Sequence, residues 1–311
     1  MRRKAAAPRA PRTPTELGGR GWWAAVRRTV GEIRNDNLSD WAAALTYYAM
    51  LSIFPAMLVL TSVLGLIGRS ATQPMIDNLG KAAPSEIRKI LTDSLRNLQH
   101  HQGGAGVLAI VALVGALWSA SGYVAAFMRA SNAIYDVPEG RPVWKTAPVR
   151  LVVTLGTMVM MTAAAFMVVV TGGIARRFGD MVGAGSSAVA AWDIAKWPVL
   201  LAVVFLAIAI LYWASPNARQ GFRWVTPGSM LAVLVWLIAS GLFAVYLANF
   251  ASYNKTYGTL AGAVIFLVWL YLSNMAVLLG AEFDAELERG RAIAAGHPPA
   301  EEPYVELRDQ P

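Results

Sequence analysis

The sequence predicts an all-α polytopic membrane protein: six transmembrane helices, an interfacial N-terminal helix and an amphipathic extracytoplasmic helix. Three observations carry this. Hydrophobic residues fill 56% of the 311 positions and charged residues only 15%, where a soluble domain carries about a quarter. The mean hydropathy is +0.45. The apolar residues gather into runs near 42–67, 105–128, 149–173, 194–214, 225–248 and 259–281, each long enough to cross the hydrocarbon core as a helix of about 20 residues. A helix is the economical choice, because it satisfies every backbone donor and acceptor within its own segment.

The elements follow in order. Residues 1–20 lack an apolar core and read as a disordered basic arm rather than a secretory signal. Residues 21–38 place Trp22, Val26, Val30 and Ile33 at helical spacing, with Arg27, Arg28 and Arg34 elsewhere. That pattern suits a helix in the membrane interface, or equally one packed on the bundle. The six-helix domain covers 39–288. Within it, Pro84 to Leu98 carries a stripe of Ile87, Leu91, Leu95 and Leu98, an amphipathic helix expected to cap the outer face. Residues 289–311, with "HPPAEEP", read as a disordered tail.

Orientation follows from Lys and Arg. The N-terminal arm, the second and fourth inter-span loops and the tail hold 18, the remaining loops 9. The bias puts both termini in the cytoplasm of a bacterial inner-membrane protein.

Several chemistries have nothing to stand on. Cysteine is absent, which excludes disulfides and thiolate chemistry. There is no P-loop motif. His100, His101 and His297 have no metal-ligand spacing with acidic residues. No span carries a charge near its centre, as proton relays need; Lys196 sits at a span end and can snorkel. No cofactor and no enzymatic activity are expected. The basic arm could touch RNA electrostatically, but no specific nucleic-acid partner is expected.

The candidate groove or gate residues are polar and clustered. In "LTYYAMLSIFP", Tyr48, Ser52 and Pro55 share a face beside Tyr47, and Pro55 can kink the helix. In span two, Ser121 and Gly122 permit close helix approach. Arg129 and Asn132, then Asn132 and Asp136, share a face where that helix leaves the membrane, and "DVPEG" ends it. Asn217 sits in the tight turn "SPNARQGFRW". "NFASYNKTYGTL" gathers Asn249, Tyr253, Asn254, Lys255 and Tyr257 on the outer side, and Gly258 with Gly262 forms a close-packing pattern. Glu282 and Glu286 lie at the cytoplasmic end of span six and are expected to pair with Arg129 or Arg219.

These motifs, in this order, resemble the YihY/BrkB family of bacterial inner-membrane proteins. The matching stretches are "AAALTYYAMLSIFP", "LWSASGYVAAFMRASNAIYDVPEGRPVWK", "SPNARQGFRWVTPG", "LANFASYNKTYGTLAG" and "WLYLSNMAVLLGAEFDAELER". Asn274 and Asp284 depart from the family pattern, which implies a small apolar residue and an Asn there. The resemblance implies six spans with cytoplasmic termini, and no established activity. A ribonuclease BN-like label also attached to the family lacks the metal cluster or exposed acid/base pair that RNA cleavage needs. The residues point instead to a passive or partner-driven transporter handling lipid or another amphiphile. Its expected partners are membrane lipids and a protein partner or homo-oligomer. The alternative is a non-enzymatic envelope scaffold.

Overall fold

The computed structural model describes residues 14–67, 105–169, 175–176, 186–249 and 254–311. After a 3-10 turn at Pro14–Leu17, seven long helices are described: α1 (Gly18–Asn35), α2 (Leu38–Ile67), α3 (Ala105–Ile134), α4 (Val143–Val169), α5 (Ser186–Ala214), α6 (Pro227–Asn249) and α7 (Asn254–Ala294). Among the described residues there is no strand, only a single bridge between Ala218 and Leu307. Four helices are long and apolar enough to cross a membrane: α4, α5, α6 and α7 from Gly262. α2 and α3 span 30 residues each, about 45 Å of helix. The helix expected over 84–98 lies outside the described residues.

Local chemistry sets the helix ends. α1 stops at Asn35, and Asn37 adopts φ 52°, a left-handed conformation that asparagine tolerates. The Asn37 carbonyl then accepts the Asp40 and Trp41 amides, which starts α2 two residues later. α3 ends as its "DVPEG" signal requires. Asp136 has φ 51°, its amide donates to the Ala133 carbonyl at 3.0 Å, and the Val137 amide donates to the Asn132 carbonyl at 3.0 Å. This double bond closes the open carbonyls of the last turn. α6 opens on a reciprocal cap: the Ser229 amide donates to Thr226 Oγ1 at 3.0 Å, and the Thr226 amide to Ser229 Oγ at 2.9 Å.

α2 packs along α3, α6 along α7, and α4 along α5; α7 also meets α1 and α2. The main core lies at one end of the bundle, where α2 and α6 start and α3, α5 and α7 finish. Leu38, Leu45, Phe127, Ile134, Tyr212 and Leu278 are buried there. Away from that end the helices keep apolar side chains outward, including Trp118, Val152, Val159, Ile194 and Leu242. α6 and α7 touch backbone to backbone at Gly228 and Gly280, where a Cβ on either glycine would run into the other's carbonyl oxygen. Further along, Trp236 Nε1 donates to Ser273 Oγ at 3.0 Å and Trp269 Nε1 to Ser240 Oγ at 3.3 Å.

Two expectations need correction. The stripe of α1 that faces α7 is Trp22, Ala25 and Thr29, with Ile33 toward the main core, whereas Val26 and Val30 point outward with Trp23. Small Ala25 and Thr29 let α1 approach Phe283 and Leu287 closely, which the bulkier Val26 and Val30 would not. The C-terminal residues are also placed, not loose. α7 runs on to Ala294, and the tail returns to the bundle end. Its Arg308 side chain donates to the Trp213 and Ala218 carbonyls, and the Arg219 amide donates to the Glu306 carbonyl at 2.7 Å. Proline-rich composition hid this, because the tail is held largely by backbone groups of residues 213–219, with only Val305 and Leu307 packed on the core.

Candidate functional site

The polar residues singled out by sequence divide into those inside the bundle and those at its packed end. Inside, Tyr48 lies against Gly122, whose added Cβ would meet the Tyr48 ring at 3.0 Å. Tyr47 turns away; it is 60% exposed and touches Tyr48 edge-on at 5.4 Å. Two tyrosines one position apart cannot share a helix face, so the expected paired groove wall reduces to Tyr48. Ser52 donates to the Tyr48 carbonyl and Ser121 to the Trp118 carbonyl, both at 2.8 Å. Their hydroxyls are thus satisfied within their own helices.

Asn274, one of the two family departures, supplies the polar link these residues do not. It is buried, accepts Tyr123 Oη at 3.0 Å and donates to Thr46 Oγ1 at 3.1 Å. Thr46 in turn donates to the Ala42 carbonyl at 2.7 Å. One amide therefore ties α2, α3 and α7 together.

At the packed end, Asn132 and Asn217 meet. The Asn217 amide donates to Asn132 Oδ1 at 2.7 Å, and Asn132 Nδ2 donates to Glu139 Oε2 at 2.9 Å. Asn217 Nδ2 donates to the Pro138 and Asp309 carbonyls, both at 2.9 Å. Glu139 also takes two bonds from Arg141, each 2.7 Å. Arg141, only 7% exposed, donates onward to the Ala214 and Ser215 carbonyls, so its charge sits on the negative end of α5. Burial alone would raise the Glu139 carboxyl, but bonds from Arg141 and Asn132 outweigh it and hold the group below its usual range.

A second cluster joins α1, the α1–α2 turn and α7. Glu286 pairs with Arg28 and, at 3.2 Å, with Arg289, which also reaches Glu32 at 3.2 Å. Glu282 is 1% exposed, and its Oε2 has no hydrogen-bond partner among the described residues. Its neighbour is Asp36. Burial, then the Glu32, Glu286 and Glu302 charges, raise the Asp36 carboxyl despite its bond to Glu282. Asp136 is pushed up to about 6, first by desolvation and then by Glu302, Asp36 and Glu32, with Arg289 acting the other way. The expected partners of Glu282 and Glu286 do not match. Arg129 is exposed, and Arg219 pairs with Glu306 at 3.6 Å. Arg28 was closer in space, because α1 lies along the last turns of α7.

Between these clusters lies a cavity of about 260 Å³, bounded by the ends of α3 and α5, the 219–226 turn, the start of α6 and the last turns of α7. Tyr135, Tyr212 and Trp213 supply aromatic wall, and Arg219, Arg223, Arg291, Asp284 and Glu288 supply charge, with Arg291 paired to Glu288. Gln220 is locked in place, accepting from Tyr135 Oη at 3.3 Å and donating to the Tyr212 carbonyl at 2.8 Å. Asp284, the other departure, accepts the Gly228 amide at 2.7 Å through Oδ1, which places a carboxylate at the start of α6. Among the described residues no group of His, Asp and Glu could hold a metal ion.

Of the sequence candidates, Asn132, Asn217, Asp136 and Glu282 gather at this end, and Tyr48 and Gly122 meet inside. Tyr253 and the side chains of Pro55, Asn249, Asn254, Lys255, Tyr257 and Gly258 lie outside the described residues. Sequence reasoning missed Arg141, Gln220, Tyr212 and the tail's Arg308 and Asp309. The only advance signal was the mismatch at Asn274 and Asp284.

The comparisons with known proteins agree with this architecture. The family described as virulence factor BrkB matches residues 29–304. A Bacillus subtilis protein named ribonuclease-like protein YfkH is 30% identical over 85% of this chain and 93% of its own length. UPF0761 membrane proteins of Alkalilimnicola ehrlichii and Xanthomonas campestris are 31% and 30% identical over 85% and 88% of this chain. The chain spans only 59% and 63% of those two relatives. No solved structure matches. A match over most of the sequence makes this chain a membrane protein of the BrkB family.

Proposed function

We propose that the protein is a non-enzymatic, passive or partner-driven carrier of lipid or another amphiphile. In this reading it crosses the bacterial inner membrane six times, with the packed end and both termini in the cytoplasm. The observation that carries the reading is the cavity of about 260 Å³, whose charged wall stands at the end of helices that are apolar and outward-facing along their length. A headgroup needs polar walls and an acyl chain needs apolar flanks; this end of the bundle offers both side by side. The Lys and Arg bias supports the orientation, since the packed end carries the richer set of loops. The ribonuclease-like name belongs to the Bacillus relative.

The test is a proteoliposome flux assay with fluorescent lipids. Wild-type protein should move lipid between leaflets, and Tyr48→Phe and Lys255→Ala should slow it. Equal flux in empty and loaded vesicles would rule the carrier out. A second reading, an envelope scaffold, is favoured by the outward Trp23, Val26 and Val30 of α1. It requires a stoichiometric partner, or a second copy, to co-purify in mild detergent.

A further inference from the structure

The charges around the cavity are not equally occupied. On one wall, Arg223 makes no ion pair with a described residue, and Arg219 is held only by a 3.6 Å contact to Glu306 between exposed side chains. Such surface pairs contribute little and yield readily to a better partner. On the other wall, Asp284 uses Oδ1 for the Gly228 amide, and its buried Oδ2 makes no hydrogen bond of good geometry among the described residues, with the Thr226 side chain beside the carboxylate and the Arg223 charge facing it. Glu288 stands one turn on, i to i+4 from Asp284, sharing its carboxylate with Arg291. The cavity thus sets a guanidinium wall against a carboxylate wall.

That arrangement selects its occupant. A plain anion would face the carboxylates, and a plain cation the arginines. A neutral hydroxyl could donate to Asp284 but would leave Arg219 and Arg223 without an anion. A zwitterion answers both walls at once. Arginine pairs best with phosphate through two parallel N–H bonds, and a carboxylate oxygen lacking a partner wants an N–H donor. We propose that the cavity binds a small phosphate ester bearing a primary amine, with phosphate on Arg223 and Arg219 and ammonium on Asp284 and Glu288. At about 260 Å³ the space takes a headgroup and not a whole lipid; drug-sized sites begin at about 300 Å³. The chemistry is that of an ethanolamine phospholipid headgroup or of its soluble counterpart. Only the choice of lipid as the source rests on the carrier reading above.

The test titrates full-length protein in phosphatidylglycerol nanodiscs with glycerophosphoethanolamine, glycerophosphocholine, glycerol phosphate and ethanolamine, read by tryptophan fluorescence, since Trp213 lines the cavity. Glycerophosphoethanolamine should bind about tenfold more tightly than any of the others. Arg223→Gln should weaken it about tenfold. Asp284→Asn should erase the preference for the amine while leaving glycerol phosphate binding equal or stronger. That variant keeps the oxygen that accepts the Gly228 amide, and Glu288→Gln, which does not cap α6, serves as the independent second variant. Equal binding of the four probes, or unchanged binding in Arg223→Gln and Asp284→Asn, would overturn the proposal. Competition by phosphatidylethanolamine nanodiscs would assign the lipid as source, and its absence with tight soluble-probe binding would assign the soluble ester. Probe binding without lipid flux overturns the carrier reading alone. Flux without headgroup selectivity overturns this inference alone.

Discussion

The Asn217 side chain ties three backbone groups together at the packed end. Its amide nitrogen bridges the Pro138 and Asp309 carbonyls and its oxygen accepts the Asp309 amide at 3.2 Å. Asn217→Ala removes three bonds to partly buried backbone groups and should cost about 1–2 kcal/mol, seen as a lower unfolding midpoint in detergent. Asp136 behaves oppositely. Its carboxyl titrates near 6 in the fold against 3.8 as a free side chain. The native state therefore holds the extra proton between those values. The stability this contributes is present at low pH and is lost as pH rises through about 6. Asp136→Asn should flatten that stretch of the stability–pH profile and raise the melting temperature at pH 7.5. Asparagine also suits the left-handed φ of 51° at this position. Individual roles were partly legible in the sequence. The "DVPEG" stop and the Asn132 position spoke through turn chemistry. Arg141 and Gln220 did not, because their partners come from other helices and no local spacing encodes them.

At the level of helices, the α6–α7 crossing is fixed by two glycines rather than by the small-residue pattern that sequence favours. A Cβ on Gly228 or Gly280 meets opposing backbone, whereas one on Gly262 meets nothing within 4 Å. Gly280→Ala should destabilise by about 1–3 kcal/mol through forced separation of the helices, while Gly262→Ala should be silent; thermal melts of the two variants decide it. The apolar runs made the long helices readable, since about 20 apolar residues in succession admit few other structures. Which helices touch was not readable. The apolar faces of α4, α5 and α6 are alike all round, so periodicity marks no contact side. α1 shows the same limit more sharply. Its Val26 and Val30 point outward, while small Ala25 and Thr29 are buried beside Trp22.

Across the whole molecule, α1 and the C-terminal tail both pack at one end of the bundle. The tail's Asp309 pairs with Lys145 and its Glu306 with Arg219, a cavity wall residue. Deleting residues 305–311 removes the Glu306 contacts that tether the exposed 219–226 turn, so that trypsin should cleave after Arg219 and Arg223 several times faster than in the full chain; unchanged cleavage would mean that the tail does not restrain it. The pair between Arg28 and Glu286 joins positions 258 residues apart. That separation has a consequence for how the protein is made. A ribosome adds about 5–20 residues each second, so Arg28 waits for nearly the whole of synthesis before its carboxylate exists. Until then α1 has no α7 to lie on, and its outward Trp23, Val26 and Val30 can hold it at the lipid surface. α1 is thus translated long before the helix it docks on, and a chain truncated before Glu286 would leave it undocked.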